Sequence, residues 1–175
     1  MRIDRIEETR LSKADETGIS ALLNRAFDTD FGPFSYFEQR HHVRLVMREA
    51  GTIIGHMALG YRAIRLGDVF LDAATLADVA TDPAHQGRGV ATALMRAMIE
   101  EGRAMRADLI MLFGDRPMYA GHGFFHVSNP LTALDLTRRR ITGINRWVPT
   151  HLMILPLTEL TWDDTSPLDL LGTKF

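Results

Sequence analysis

Between residues 69 and 113 the chain lays out a strand, a turn and a helix, and few folds have a use for such a turn. Val69–Thr81 is rich in apolar and β-branched residues and is stopped by Pro83. Gly87 and Gly89 follow, spaced Gly-x-Gly. From Val90 to Met105 apolar residues recur at helical spacing, with Leu94, Ala97, Met98 and Met105 on or near one face. Leu109-Ile110-Met111-Leu112-Phe113 is a short unbroken apolar run, as in a strand buried on both faces. Together they form one β–α–β crossover, which should be right-handed. The helix start carries free backbone N–H groups, and the glycines let a ligand approach the main chain closely. Such a nest suits a phosphate or pyrophosphate, which the helix dipole also favours.

The rest of the sequence fits around this unit. Arg2–Arg10 reads as a first strand. Ser12, with Asp15 three residues on, reads as a helix cap before the helical spacing of Ile19, Leu22, Leu23, Ala26 and Phe27. Phe34–His42 is expected to form a second short helix. Val43–Glu49, a turn at Ala50-Gly51, the long Thr52–Leu66 and a turn at Gly67-Asp68 lead into the crossover. Arg116–His122 is predicted as a short helix, and Phe124–Leu136 and His151–Leu157 as closing strands. The order is β-α-α-β-β-β-α-β-α-β-β. The fold class is therefore α/β (α+β), a mixed sheet of about seven strands flanked by helices with a parallel pair in the middle. No repeat or linker divides the chain, so residues 1–175 read as one domain.

Composition removes several classes of function. A net charge of -2 implies no general affinity for nucleic acid. With no cysteine there is no disulfide, no thiol nucleophile and no Cys-ligated zinc, which fits a reducing, cytoplasmic location. The charged N-terminus is not a signal peptide, and no apolar run reaches membrane-spanning length. No metal is expected: His122 and His126 lack the helical face a metal pair needs, and His41 and His42 point different ways. The turn itself lacks Gly-Lys-Ser/Thr and the third glycine of a dinucleotide fingerprint.

What remains is Gln86-x-x-Gly89-x-Ala91 after a strand. It resembles the acyl-CoA pyrophosphate loop of the GNAT superfamily of N-acetyltransferases, whose pattern is Gln/Arg-x-x-Gly-x-Gly/Ala. A second segment, Gly114-Asp115 followed by Tyr119 and Gly123-Phe124, resembles the GNAT stretch in which a tyrosine four residues before Gly-Phe serves as general acid. The Gly-Asp before the helix is like the YhbS-like branch. The element order is also that of the GNAT fold. A looser similarity, through Gly55-His56-Met57, Ile64–Val69 and Leu155-Pro156-Leu157…Trp162, is to the NodA acyltransferases, which move fatty acyl groups to an amino sugar.

The resemblance implies transfer of an acyl group, acetyl first of all, from acetyl-CoA or another acyl-CoA to a small-molecule primary amine. Backbone groups of Val79, Ala80 and Thr81 should pair with the pantetheine arm. N–H groups of Gln86, Gly87, Arg88, Gly89, Val90 and Ala91 should hold the pyrophosphate. The Arg88 side chain either adds charge to a phosphate or is a solvated loop arginine. Tyr119 is the candidate acid, because a phenol keeps its proton at neutral pH. The glutamate that many relatives use as base corresponds here to Thr75, which cannot act as one. Asp78 and His56 are the alternatives, or no dedicated base exists.

Phe31 and Phe34, among the five aromatics Phe27, Phe31, Phe34, Tyr36 and Phe37, are candidates for an apolar acceptor pocket or are ordinary packing. A NodA-like transferase fed by acyl carrier protein is the alternative activity, with the basic run Arg138-Arg139-Arg140 as a carrier contact or a solvated turn. A non-catalytic acyl-CoA-binding module is the third reading. Homodimers are frequent among relatives, so a homodimer is a further expectation.

Overall fold

The structure is a computed structural model that describes residues 1–29, 31–137 and 139–175. By internal contact the chain divides into two compact units, Met1–Gly60 with Leu76–Glu101, and Tyr61–Thr75 with Gly102–Phe175. Two long strands, β3 (Thr52–Leu66) and β4 (Val69–Thr81), contribute residues to both.

The first unit begins with β1 (Arg2–Glu7), which pairs antiparallel with β2 (Val43–Glu49), and β2 pairs antiparallel with β3. The β2–β3 turn is Ala50-Gly51, both with positive φ (47° and 83°), the torsions a two-residue hairpin needs to match strand twist. Helix α1 (Lys13–Ala26) starts where the sequence indicates: Ser12 caps it by accepting from the Asp15 N–H, and its hydroxyl donates to the Asp15 carboxylate. Its buried face, Ile19, Leu22 and Leu23, packs with Phe31, Val46, Ile53 and Ala80. Helix α2 (Val90–Ala104) buries Val90, Leu94, Met95 and Met98. Gly55 makes its approach to β3 possible, since a Cβ there would lie 2.5 Å from Val90 Cγ1 and 2.8 Å from Leu94 Cδ1.

Residues 34–42 are not helical. Gly32-Pro33 and a left-handed Glu38 (φ 58°) disfavour a helix, and neighbouring groups take the segment's backbone bonds. Ser20 and Asn24 of α1 donate to the Gly32 carbonyl, Asn24 accepts from the Phe31 N–H, Arg44 donates to the Ser35 carbonyl, and the His42 N–H donates to Leu59.

The second unit holds the strand order β6-β9-β5-β4-β3-β10-β7-β8. Here β5 is Leu109–Phe113, β6 Phe125–His126, β7 Leu131–Thr137, β8 Arg140–Trp147, β9 Leu152–Pro156 and β10 Leu168–Thr173, with the one-turn helix α3 at Pro117–Ala120. Its core is built from Leu109, Met111, Leu131, Leu152, Ile154, Leu168 and their neighbours. Ten strands are found among the described residues, where the sequence indicates about seven. The single strand expected over residues 124–136 is two, because Pro130 has no N–H to donate and Asn129 turns inward. Asn129 is fully buried, donates to the carbonyls of Asp163 and Ser166 and accepts from Trp162 Nε1. That knot positions β10, which pairs antiparallel with β3 and parallel with β7. The crossover is thus not the molecule's one parallel pairing. The edge strand β8 is exposed along almost its whole length, a pattern without a hydrophobic period to find in the sequence. Arg139 and Arg140 lie exposed at the β7–β8 turn; Arg138 lies outside the described residues.

Candidate active site

The turn after β4 is anchored before it is shaped. The Asp82 N–H donates to the Ile54 carbonyl, and its carboxylate accepts from the Ala84 N–H and from Arg25 at 2.8 Å. Pro83 starts a single 3₁₀ turn that ends at His85. Gly87 and Gly89 then take φ of 72° and 78°, torsions that L side chains adopt at a cost. A Cβ on either would meet nothing of the protein within 4 Å, so glycine is required there for its torsion and not for room.

The first intrahelical bond runs from the Ala93 N–H to the Gly89 carbonyl. The N–H groups of the first turn therefore point out of the helix end. They face a cavity of about 360 Å³ lined by Thr81, His85, Gln86, Gly87, Gly89, Val90, Ala91 and Thr92. The nearby arginines are engaged elsewhere. Arg88 grips Glu49 with two nitrogens, at 2.7 and 3.1 Å, and Arg25 holds Asp82. An anion in this cavity would meet main-chain donors, the helix dipole and His85, while the Arg88 charge is matched by Glu49.

Upstream on β4, Ala80 faces the α1 core while Val79 and Thr81 are half-buried. Thr75 is buried. Asp78 breaks the strand's extended torsions with φ of 49°, which rotates its peptide groups out of a regular ladder. Both of its polar ends are held. Its carboxylate lies 2.8 Å from His41 Nε2, and its carbonyl accepts from His56 Nδ1 at 2.8 Å.

His56 is entirely buried in β3, and its other nitrogen lies 3.2 Å from Arg44 Nη1. A guanidinium only donates, so His56 Nε2 accepts and the proton sits on Nδ1. Burial, followed by the Arg44 charge, pushes the His56 imidazole down to about 3, so it is neutral. Arg44, also fully buried, is neutralised by Glu8 at 2.7 Å. Burial pushes the Glu8 carboxyl up, but hydrogen bonds and charge from Arg44 and Arg40 outweigh it and hold it below its ordinary value. The Ser35 hydroxyl, next to the carbonyl that Arg44 holds, is buried with no partner among the described residues.

In the second unit, Tyr119 is buried with its ring edge-on to Phe124, 6.1 Å between centroids. Its spacing from Gly123-Phe124 has a local cause. The Phe124 N–H donates to the Tyr119 carbonyl across a turn that needs the left-handed Gly123 (φ 92°). Gly114 faces the ring, since a Cβ there would stand 2.8 Å from Tyr119 Cε2. Burial pushes the phenol above its ordinary value, with Asp115 adding to the effect and Arg116 opposing it. A second cavity, about 290 Å³, is lined in this unit by Phe113, Gly114, Asp115, Trp147, His151 and Lys174 among others.

Of the aromatic group, Phe31 is core, while Phe34, Phe27 and Phe37 are partly exposed. Phe31 contacts both Phe27 and Phe37, so the cluster is packed rather than scattered. In the sequence His41 offers only a neighbour, His42, that points a different way. Asp78 lies 37 positions away, and no local pattern signals the pairing.

A family model for the acetyltransferase (GNAT) domain matches residues 8–127. The chain belongs to the GNAT acetyltransferases. No curated protein matches it. Among solved structures, the GNAT N-acetyltransferase YhbS from Escherichia coli, solved with CoA, is 20% identical with a TM-score of 0.65, covering 97% of this chain and 90% of that one. A GNAT acetyltransferase from Brucella melitensis, solved with acetyl-CoA, is 19% identical with a TM-score of 0.61, covering 95% and 94%. The ribosomal-protein-alanine N-acetyltransferase of Escherichia coli is 18% identical with a TM-score of 0.61, covering 91% and 97%. At this identity the likeness to these structures is one of fold. Among the described residues no helix is long and apolar enough to cross a membrane, and no three acidic or histidine side chains are grouped to hold a metal.

Proposed function

We propose that this GNAT protein is an N-acyltransferase that moves an acyl group, acetyl first of all, from acyl-CoA to a primary amine. The observation that carries this is the cavity at the start of α2, where two left-handed glycines and uncapped N–H groups meet at the end of β4. The pyrophosphate sits on N–H groups from Gln86 to Ala91, Arg88 contributing its main chain. The pantetheine arm runs along the backbone of Val79, Ala80 and Thr81. The CoA and acetyl-CoA bound in the relatives' structures support the same ligand class here.

The amine lone pair forms the new bond to the thioester carbonyl carbon, and the carbonyl π pair moves to oxygen. Collapse restores the carbonyl and breaks the C–S bond, with the pair leaving on sulfur. Tyr119 gives the thiolate its proton and recovers one from solvent. A phenol pushed up by burial keeps its proton at neutral pH and so has it to give as the thiolate leaves. The base is Asp78 or a group tied to it. His56, neutral and engaged at both nitrogens, positions Asp78, and Phe34, partly exposed where Phe31 is core, belongs to the wall of the acceptor side.

Thermal unfolding with acetyl-CoA, a long-chain acyl-CoA, free CoA and ATP tests this reading. A CoA compound at a hundred times its dissociation constant adds about 2.7 kcal/mol, visible as a rise of several degrees. A rise with CoA compounds and not ATP is expected, and the preferred acyl length separates acetyl transfer from NodA-like transfer. No rise with any CoA compound would overturn the donor site.

A further inference from the structure

We propose that His41 and Asp78 form a proton-accepting dyad, in which His41 Nδ1 takes the proton of the acceptor ammonium and Asp78 is the positioning residue behind it. The proposal rests on the acyltransferase reading above. It answers the chemical gap left by Thr75, because an amine that arrives as an ammonium cannot attack until it loses a proton.

The geometry is that of an oriented imidazole. His41 Nε2 and the Asp78 carboxylate are 2.8 Å apart, and both side chains are buried, 5% and 8% exposed. An ionised carboxylate only accepts, so it fixes the Nε2–H tautomer and leaves Nδ1 as the basic nitrogen. The pair is held on all sides. Asp78 is fixed by its left-handed torsion and by the His56 bond to its carbonyl. His41 belongs to the non-helical segment that Arg44 ties down at the Ser35 carbonyl, next to His42, whose N–H donates to β3.

The charged and titratable neighbours are accounted for on each element. They are Asp78 on β4, His56 on β3, Arg44 on β2, Glu8 after β1, and Arg40 beside His41, which pairs with Glu8 and with Glu16 of α1. Arg44 and Arg40 are paired with Glu8 and Glu16 and His56 carries no charge, so Asp78 is the carboxylate bonded to the imidazole. A left-handed torsion in mid-strand persists where surrounding structure over-determines it, which is common at working sites.

The step balances. His41 Nδ1 takes one proton from R–NH₃⁺ and becomes an imidazolium paired with the Asp78 carboxylate. R–NH₂ then attacks, and the second proton lost from nitrogen passes to solvent. His41 returns its own proton to solvent after CoA leaves. The net products are the amide, CoA thiol and one proton.

The test measures CoA release from acetyl-CoA across pH with two amines, n-butylamine, an ammonium at neutral pH, and hydroxylamine, already unprotonated there. For butylamine at pH 7, His41→Asn and Asp78→Asn should each lower kcat/KM about 100-fold. Their inflection should move up toward the amine's own ionisation, while hydroxylamine is largely spared and CoA binding is unchanged. Butylamine profiles that match wild type in both variants would overturn the dyad and leave the acyltransferase reading standing. Wild type that acylates neither amine would overturn both. Independently of turnover, ¹⁵N-histidine NMR of the wild type should show His41 as the Nε2–H tautomer; an Nδ1–H ring would overturn the assignment even if a variant fails to fold.

Discussion

Asp78 shows how much one residue can be asked to hold. Its carboxylate serves His41, its carbonyl serves His56, and its torsion bends β4. Tyr119 is simpler, a ring wedged between Gly114 and Phe124 with one polar atom to offer. Tyr119→Phe keeps that packing and deletes the proton. Turnover should fall about 100-fold with CoA affinity unchanged; unaltered turnover in steady-state kinetics would remove the acid role. These residues differ in legibility for a physical reason. Tyr119 and Gly123-Phe124 are tied by one local turn, so their spacing survives as a readable motif. The His41–Asp78 pair is joined only when β2 and β3 place two distant segments side by side, and Arg44 looks like any surface arginine until it is found fully buried.

At the scale of elements, the decisive fit is the end of α2 against β3. A Gly55→Ala substitution puts a methyl into Val90, whose branched side chain has little freedom to yield. Denaturant unfolding should show a loss of about 1–3 kcal/mol, and CoA affinity should fall with it if the helix end is displaced. Gly89→Ala tests the nest separately. It forces an L residue to φ 78°, so it should cost roughly 1–2 kcal/mol and weaken CoA binding, measured by calorimetry. Retained affinity would mean that the nest tolerates a relaxed loop. The crossover, the α1 cap and the Ala50-Gly51 hairpin are legible because period, cap and turn residues agree locally. The segment at residues 34–42 misleads because its apolar residues serve packing while Arg44 of β2 and the Leu59 carbonyl of β3 take its backbone bonds. The break at Asn129-Pro130 and the strand β10 depend on a distant side-chain knot that no window of sequence contains.

For the molecule as a whole, buried His56 sets the response to mild acid. Its folded pKa of about 3 is below the unfolded value, so the unfolded chain takes up a proton that the native state refuses. The associated stability is fully present above about pH 6.5 and is lost as pH falls toward the folded value, at up to about 1.4 kcal/mol per unit. Unfolding free energy should therefore drop by about 1.6 kcal/mol from pH 6.5 to pH 5, before the lowered carboxylates such as Glu8 enter. A His56→Gln variant should lose that slope, read from denaturant midpoints at several pH values.

The main-chain character of the cavity above α2 has a consequence for how such a protein can change over time. What the loop contributes is torsion and N–H direction, so mutation can rewrite most of its side chains without altering the contacts the backbone offers. On the proposed function, an acceptor side lined by side chains has no such freedom. Such a chain is free to acquire new amines while its donor stays the same.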